Sequence, residues 1–295
     1  MRRVLAGLIL ALAWLSAPAH AVTATLVASG SCTAVATSCT VNVTADVPTG
    51  SFLVAIATVQ SSLAIAVTFS DNAATPNCGG TYALAAKPSS NNGTPAVFYC
   101  AATTTAMSSG TTCGSGSTQC AFTATTSGSV DWAIQVYAIS GIAGFDKAGS
   151  PMTGTWTSGA ATTFATTPTL GHSSEWALSI VAVGAGAAAD TMTSFTGAFS
   201  PIGGLAAGAT NKPEFFLSAQ TLTSGLATSG ATPTTSAGRA YNSIVLLFLT
   251  SGASQCGNSG GILLLGLGGG GGSCVSAGSQ FDFSDPSNSA LLSAI

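Results

Sequence analysis

The chain has 295 residues, of which 46% are apolar and only 5% charged, with a formal net charge of −3. Roughly 25% charge is usual in a soluble domain, so the Thr, Ser and Gly that crowd this chain must supply hydroxyls and amides to solvate its surface. The apolar content excludes an intrinsically disordered chain, which needs low hydrophobicity and high net charge, and the sparse charge excludes a nucleic-acid or anionic-membrane surface.

The N-terminus reads as a secretory signal over residues 1–21. Arg2 and Arg3 form its basic region, Val4–Leu15 its apolar run, and Ala19-His20-Ala21 a small-x-small cleavage site. The apolar run is shorter than the ~20 residues needed to span a bilayer. No later apolar run, Ile262–Leu267 included, is long enough to cross one. Cleavage after Ala21 leaves Lys87, Lys147, Lys212 and Arg239 as the bases and His172 as the one histidine.

Residues 22–253 read as strands separated by turns. Short alternating runs occupy Ala24–Ala28 and Cys39–Val43, and Asp46-Val47-Pro48-Thr49-Gly50 turns into Ser51–Val59. Ile65–Phe69 is another short strand. Tyr82–Ala86 and Ala96–Tyr99 form a hairpin, and Gln119–Thr125 precedes a turn at Ser127-Gly128-Ser129. In Asp131–Ile139 strict alternation puts Trp132, Ile134, Val136 and Ala138 on one face and Ala133, Gln135, Tyr137 and Ile139 on the other. Thr162–Leu170, Glu175–Val183, Thr191–Phe199, Glu214–Leu222 and Tyr241–Leu249 follow as strands, with a loop over Thr232–Gly238. No run shows a 3.6-residue apolar period, so no helix is predicted.

Ser51–Val59 is echoed by Glu175–Val183, and Asp131–Ile139 by Tyr241–Leu249. The halves near 40–145 and 163–250 are therefore similar in order. This symmetry predicts an all-β fold, an antiparallel two-sheet β-sandwich in which each half contributes strands to both sheets. Two successive immunoglobulin-like domains are the alternative, although neither half has its own Cys…Trp…Cys framework. The succession GSFLVAIATV, VTFSDNA, TYALAA, VFYCA, WAIQVYAISGIAGFD, EWALSIVAV and AYNSIVLLFL resembles a jelly-roll-like β-sandwich of bacterial secreted and phage structural proteins. The resemblance implies a structural or binding module and carries over no catalytic residue. The tail, 254–295, is glycine-rich (GGILLLGLGGGGGSC) and reads as a flexible extension, or as an assembly element offering its ILLL segment to another subunit's sheet edge.

Eight cysteines, an even number in an exported chain, favour disulfides. Spacing suggests four local bridges: Cys32–Cys39, Cys78–Cys100, Cys113–Cys120 and Cys256–Cys274. A zinc site is disfavoured, since there is no CxxC and one histidine after cleavage. No cofactor is expected. Gly257-Asn258-Ser259-Gly260-Gly261 fits G-x-S-x-G and resembles the nucleophile loop of trypsin-like proteases. A serine hydrolase using Ser259 would need a base and an orienting acid. His172 with Glu175 or Asp190 is the available set, yet the protease's His-Cys pattern is missing, and LLLGLGGGGG cannot form the helix of a hydrolase elbow. His172 and Glu175 read as solvated turn residues. Asp282-Phe283-Ser284-Asp285 offers hard oxygens for calcium, but without the spacing of a known loop.

Among the aromatics, Trp132, Trp176 and Tyr241 open strands and read as core. Trp156, in Gly154-Thr155-Trp156-Thr157-Ser158, is the candidate exposed aromatic for stacking on a sugar. A flat threonine array against ice or a crystal would need a regular Thr-x-Thr repeat, and the sequence shows none. These features predict a secreted, non-catalytic structural or surface-assembly protein, with itself as partner. A carbohydrate-binding or adhesion module for surface glycans is the alternative.

Overall fold

The computed structural model describes residues 21–60, 65–88, 93–113, 119–184, 189–205, 213–234 and 238–253. The fold is all-β and antiparallel. β1 (Thr23–Asn42), β2 (Phe52–Gln60), β3 (Val67–Asp71), β4 (Ala83–Ala86), β5 (Thr94–Cys100) and β6 (Ala121–Ser140) build the first sheet. β7 (Ile142–Ala148), β8 (Met152–Trp156), β10 (Glu175–Val183), β12 (Ser200–Leu205), β13 (Glu214–Leu222) and β15 (Arg239–Thr250) build the second. A third sheet holds β9 (Thr162–Thr166), β11 (Thr191–Thr193) and β14 (Thr228–Thr234). Among the described residues the only helical segment is a 3-10 turn at Asn77–Gly80.

The first two sheets pack face to face. Phe52, Val54, Ile56, Ala133, Tyr137 and Ile139 of the first meet Trp176, Leu178, Ile180, Leu217, Leu246 and Phe248 of the second in one core. Each half of the chain forms its own sheet, which corrects the expectation that both halves would feed both sheets. The echo between halves is nevertheless physical. β2 pairs with β6 (Phe52↔Ile139), and β10 pairs with β15 (Glu175↔Leu249), so in each half the first long apolar strand pairs with the last. β1–β6 pair among themselves and β7–β15 among themselves, so the chain passes once from the first sheet to the second, whereas alternation between sheets would require repeated crossings.

The opposite faces of both sheets are apolar too. β2 and β10 are buried along nearly their whole length. The first sheet covers its outer face with its own long strands. The sequence reads two short runs in each of β1 and β6, but each is one 20-residue strand. The predicted turn at 127–129 is an irregularity in the β1–β6 ladder, which slips register between Cys32/Ala36 and Ala36/Ser38. Irregular pairing of this kind bends and twists strands. Beyond it, Cys39, Val41, Phe122, Ala124, Val67 and Phe69 join the core formed by Leu53, Ala55, Phe98, Trp132 and Ile134. The second sheet is covered by the third: Phe164 and Ala231 pack with Val181 and Val183, and Ala165 packs with Ala177 and Val245.

Among the described residues three disulfides stabilise the protein, and these belong to the first sheet's outer core: Cys32–Cys39, Cys78–Cys100 and Cys113–Cys120. Cys32–Cys39 spans the irregular stretch of β1. Loops this short are worth about 2–3 kcal/mol each through the entropy of the unfolded chain. The expected Cys256–Cys274 bridge, the signal segment and the glycine-rich tail lie outside the described residues.

Buried tyrosines make the fold alkali-sensitive. Tyr137 donates to Gln135 Oε1 (2.9 Å), and burial pushes its pKa up to about 12. Tyr82 donates to Asp71 Oδ2 (2.8 Å); burial, then the Asp71 charge, raises its pKa. Folded tyrosines thus hold protons that unfolded ones lose near the ordinary tyrosine value of 10.0. Their stabilising contribution is complete below that value and is lost as pH rises through the folded pKa. Phenolate absorbance should therefore rise in two stages, the second coinciding with loss of the β-sheet circular-dichroism signal. A single stage that precedes unfolding would contradict this.

Candidate functional site

Three segments bring charged side chains together on the outer face of the second sheet. β7 supplies Asp146 and Lys147, the turn before β10 supplies Gly171 and His172, and β10 begins with Glu175. Glu175 shares its face with Ala177, opposite Trp176, because side chains alternate along a strand. Asp146 owes its place to a bulge. Lys147 pairs with Leu247 and Phe145 with Phe248, so Asp146 is the extra residue between consecutive partners on β15.

The donor atoms of Asp146, His172 and Glu175 all lie within 4.8 Å of one another. His172 Nδ1 stands 3.2 Å from Glu175 Oε1, which also accepts from the Gly171 N–H at 2.8 Å. Lys147 Nζ is 3.2 Å from Asp146 Oδ2, an ion pair outside hydrogen-bonding geometry that leaves Oδ2 without a hydrogen bond. The Glu175 side chain is 0% exposed, and its Oε2 has no hydrogen-bond partner. Burial raises the Glu175 pKa. The Gly171 N–H opposes that rise, Asp146 adds to it, and His172 and Lys147 oppose it. Gly171 leaves the space open, since a Cβ there would stand 3.1 Å from Lys147 Nζ and 3.2 Å from Asp146 Oδ2. Reading Glu175 as a solvated turn residue is therefore corrected: it is buried at the head of a strand. The signal that could have revealed this is its position two residues before Ala177 in a fully apolar strand.

Asp190, the other acid considered with His172, is engaged elsewhere. Its Oδ2 accepts from Arg239 Nη1 at 2.7 Å, and its N–H donates to Glu214 Oε2 at 3.0 Å. Ser259 and Asp282–Asp285 lie outside the described residues.

Trp156 is not an exposed loop aromatic. It ends β8, is 1% exposed, and stacks on Tyr241 at 5.9 Å with Phe164 and Phe216 edge-on. β8 pairs with the last strand, Arg239↔Trp156 to Ser243↔Met152, which turns a Gly/Thr-rich stretch into a sheet edge and its tryptophan inward. Its sugar-stacking role is withdrawn, and none of the described aromatic side chains is exposed.

The regular hydroxyl array that no sequence repeat announced is assembled by pairing. Ser38, Thr125 and Thr68 are aligned across β1, β6 and β3, and Thr40, Thr123 and Ser70 form the next row. All six belong to the outer face, which alternates with buried Cys39, Ala124 and Phe69. Thr40 and Thr123 share a hydrogen bond of 2.9 Å. Asn42 continues the face, donating to Gln119 Oε1 at 2.9 Å.

No protein-family model matches the chain, and no curated protein is significantly similar to it.

Removing the Trp156 indole should test its structural role. Trp156→Ala should cost about 3–5 kcal/mol, as large-to-small aromatic core changes do, and lower Tm by about 10 °C. Calorimetry checks this; an unchanged Tm would contradict the buried placement.

Proposed function

We propose that the protein is an exported, non-catalytic structural protein that assembles with its own kind through uncharged, hydroxyl-rich faces. One observation carries this reading: Asp46 is the one charged residue among the described residues that is exposed. Asp71, Glu175, Asp190 and Glu214 are buried, and Lys87, Asp131, Asp146, Lys147 and Arg239 are partly buried. A surface with so little exposed charge offers little electrostatic repulsion to close packing of like copies. The β1–β6–β3 face provides aligned hydroxyls that can exchange hydrogen bonds with a second such face. The three disulfides agree with an oxidising, extracytoplasmic setting, and among the described residues no helix is long and apolar enough to cross a membrane.

Light scattering of the oxidised protein across a concentration series tests the proposal. Mass should grow with concentration and persist at high salt, since screening acts on charges, of which this surface exposes few. Replacing Thr68 and Thr125 together by Lys puts like charges on the hydroxyl face. That variant should need about tenfold more protein to reach the same mass, a cost of about 1.4 kcal/mol. A monomer at every concentration would overturn the reading, and specific capture on a glycan array would replace it with adhesion.

A further inference from the structure

We infer that Asp146, His172 and Glu175 form a binding site for a first-row divalent metal ion, with Zn²⁺ as the best-fitting member. The inference is independent of the assembly reading. Three observations carry it. The three donor atoms converge within 4.8 Å from two chain segments, β7 and the turn that opens β10. Glu175, whose side chain is 0% exposed, holds a carboxylate oxygen there with no hydrogen-bond partner. Such an atom normally finds a partner, because an unsatisfied buried group costs about 1–3 kcal/mol or more. The charges do not balance either: two carboxylates face one ammonium, Lys147.

A dication answers each point. It would sit about 2.0–2.2 Å from an imidazole nitrogen and two carboxylate oxygens, with donors about 3.4 Å apart. The side chains of His172 and Asp146 are 14% and 17% exposed and can close that gap. The Lys147 side chain, 38% exposed and paired with Asp146, can withdraw into solvent as the ion enters. One nitrogen with two oxygens suits zinc and its neighbours, whereas Ca²⁺ asks for six to eight oxygens. The lack of a Cβ at Gly171 keeps the cluster uncapped, as a site that admits an ion and its waters requires. Bound there, the ion ties the edge strand β7 to the turn that opens β10. No disulfide joins these segments among the described residues.

The test uses the full-length, oxidised chain, stripped with a chelator and titrated with Zn²⁺ against a chromophoric competitor, with Ca²⁺ and Mg²⁺ in parallel. The expected result is one Zn²⁺ per chain, a raised Tm, and no comparable binding of Ca²⁺ or Mg²⁺. His172→Ala and Glu175→Gln should each weaken Zn²⁺ binding at least about tenfold while keeping the β-sheet circular-dichroism spectrum. Should either variant fail to fold, the wild-type protein decides by NMR. Of the two histidines in the chain, the His172 ring should be the one whose resonances shift with Zn²⁺. Absence of saturable binding, binding unchanged in both variants, or a His172 ring indifferent to Zn²⁺ would each overturn the inference.

Discussion

The structure depends on one packing constraint: its two central sheets are apolar on both faces. Packing them against each other buries one face of each, through residues such as Ile56, Tyr137, Leu178 and Leu246. At about 1.5–3 kcal/mol for each large apolar side chain removed from water, the remaining faces cannot stay exposed. The halves meet this demand differently. The first half doubles its own strands back, so β1 and β6 serve both a central layer and its cover. The second adds a separate small sheet, pinned by polar contacts. Ser179 Oγ donates to Ser229 Oγ (2.8 Å), which donates to the Ala165 carbonyl, linking β10 to the cover sheet.

The stapling follows the same division. The doubled-back layer of the first half is held by three disulfides and by Asp71, whose carboxylate gathers the Ala73 and Asn77 N–H groups and the Tyr82 hydroxyl. The second half relies on its scarce charges. Arg239 holds Asp190, and Asp190 is tied to Glu214, at the ends of β15 and β13. The sandwich is also linked along one side. Gln135 of β6 donates to the Gly204 carbonyl of β12 at 3.0 Å, and a Cβ at Gly203 would come within 1.9 Å of the Tyr137 hydroxyl, so only glycine admits that approach. The chain thus places most of its described charges inside or partly inside, several of them as ties, and leaves hydroxyls and amides outside. The assembly reading and the metal site are two consequences of that placement. The outer faces lack repulsion, and one internal cluster holds more negative charge than its own cation can answer.

Much of the fold was legible in the sequence because the central strands are long, continuous and apolar. The alternation of Asp131–Ile139 sorted its residues onto two faces, and the structure finds Trp132, Ile134 and Val136 in one core and Ala133, Tyr137 and Ile139 in the other. Three cysteine pairs were legible from spacing alone, since loops of seven and 22 residues bring their ends together locally. The edge strands were not legible. β7, β8 and β12 are short, β8 and β12 are also rich in Gly, Thr or Ser, and all three are strands because β15 and β13 offer them an edge. Trp156 was misplaced for this reason: a tryptophan among glycines and threonines looks like a loop until the last strand pairs beside it.

By itself the sequence determined the class of the fold, the faces of its longest strands and three of its covalent links, all of which rest on local periodicity or short loops. The tertiary structure alone decided which strands share a sheet, that each half builds its own, and that Trp156 points inward. It alone aligned Ser38, Thr125 and Thr68, and it alone brought Asp146 to Glu175 across β15. Those outcomes depend on pairing between residues far apart in the chain. Such pairing is selected by the burial of whole faces rather than by the identity of any one residue.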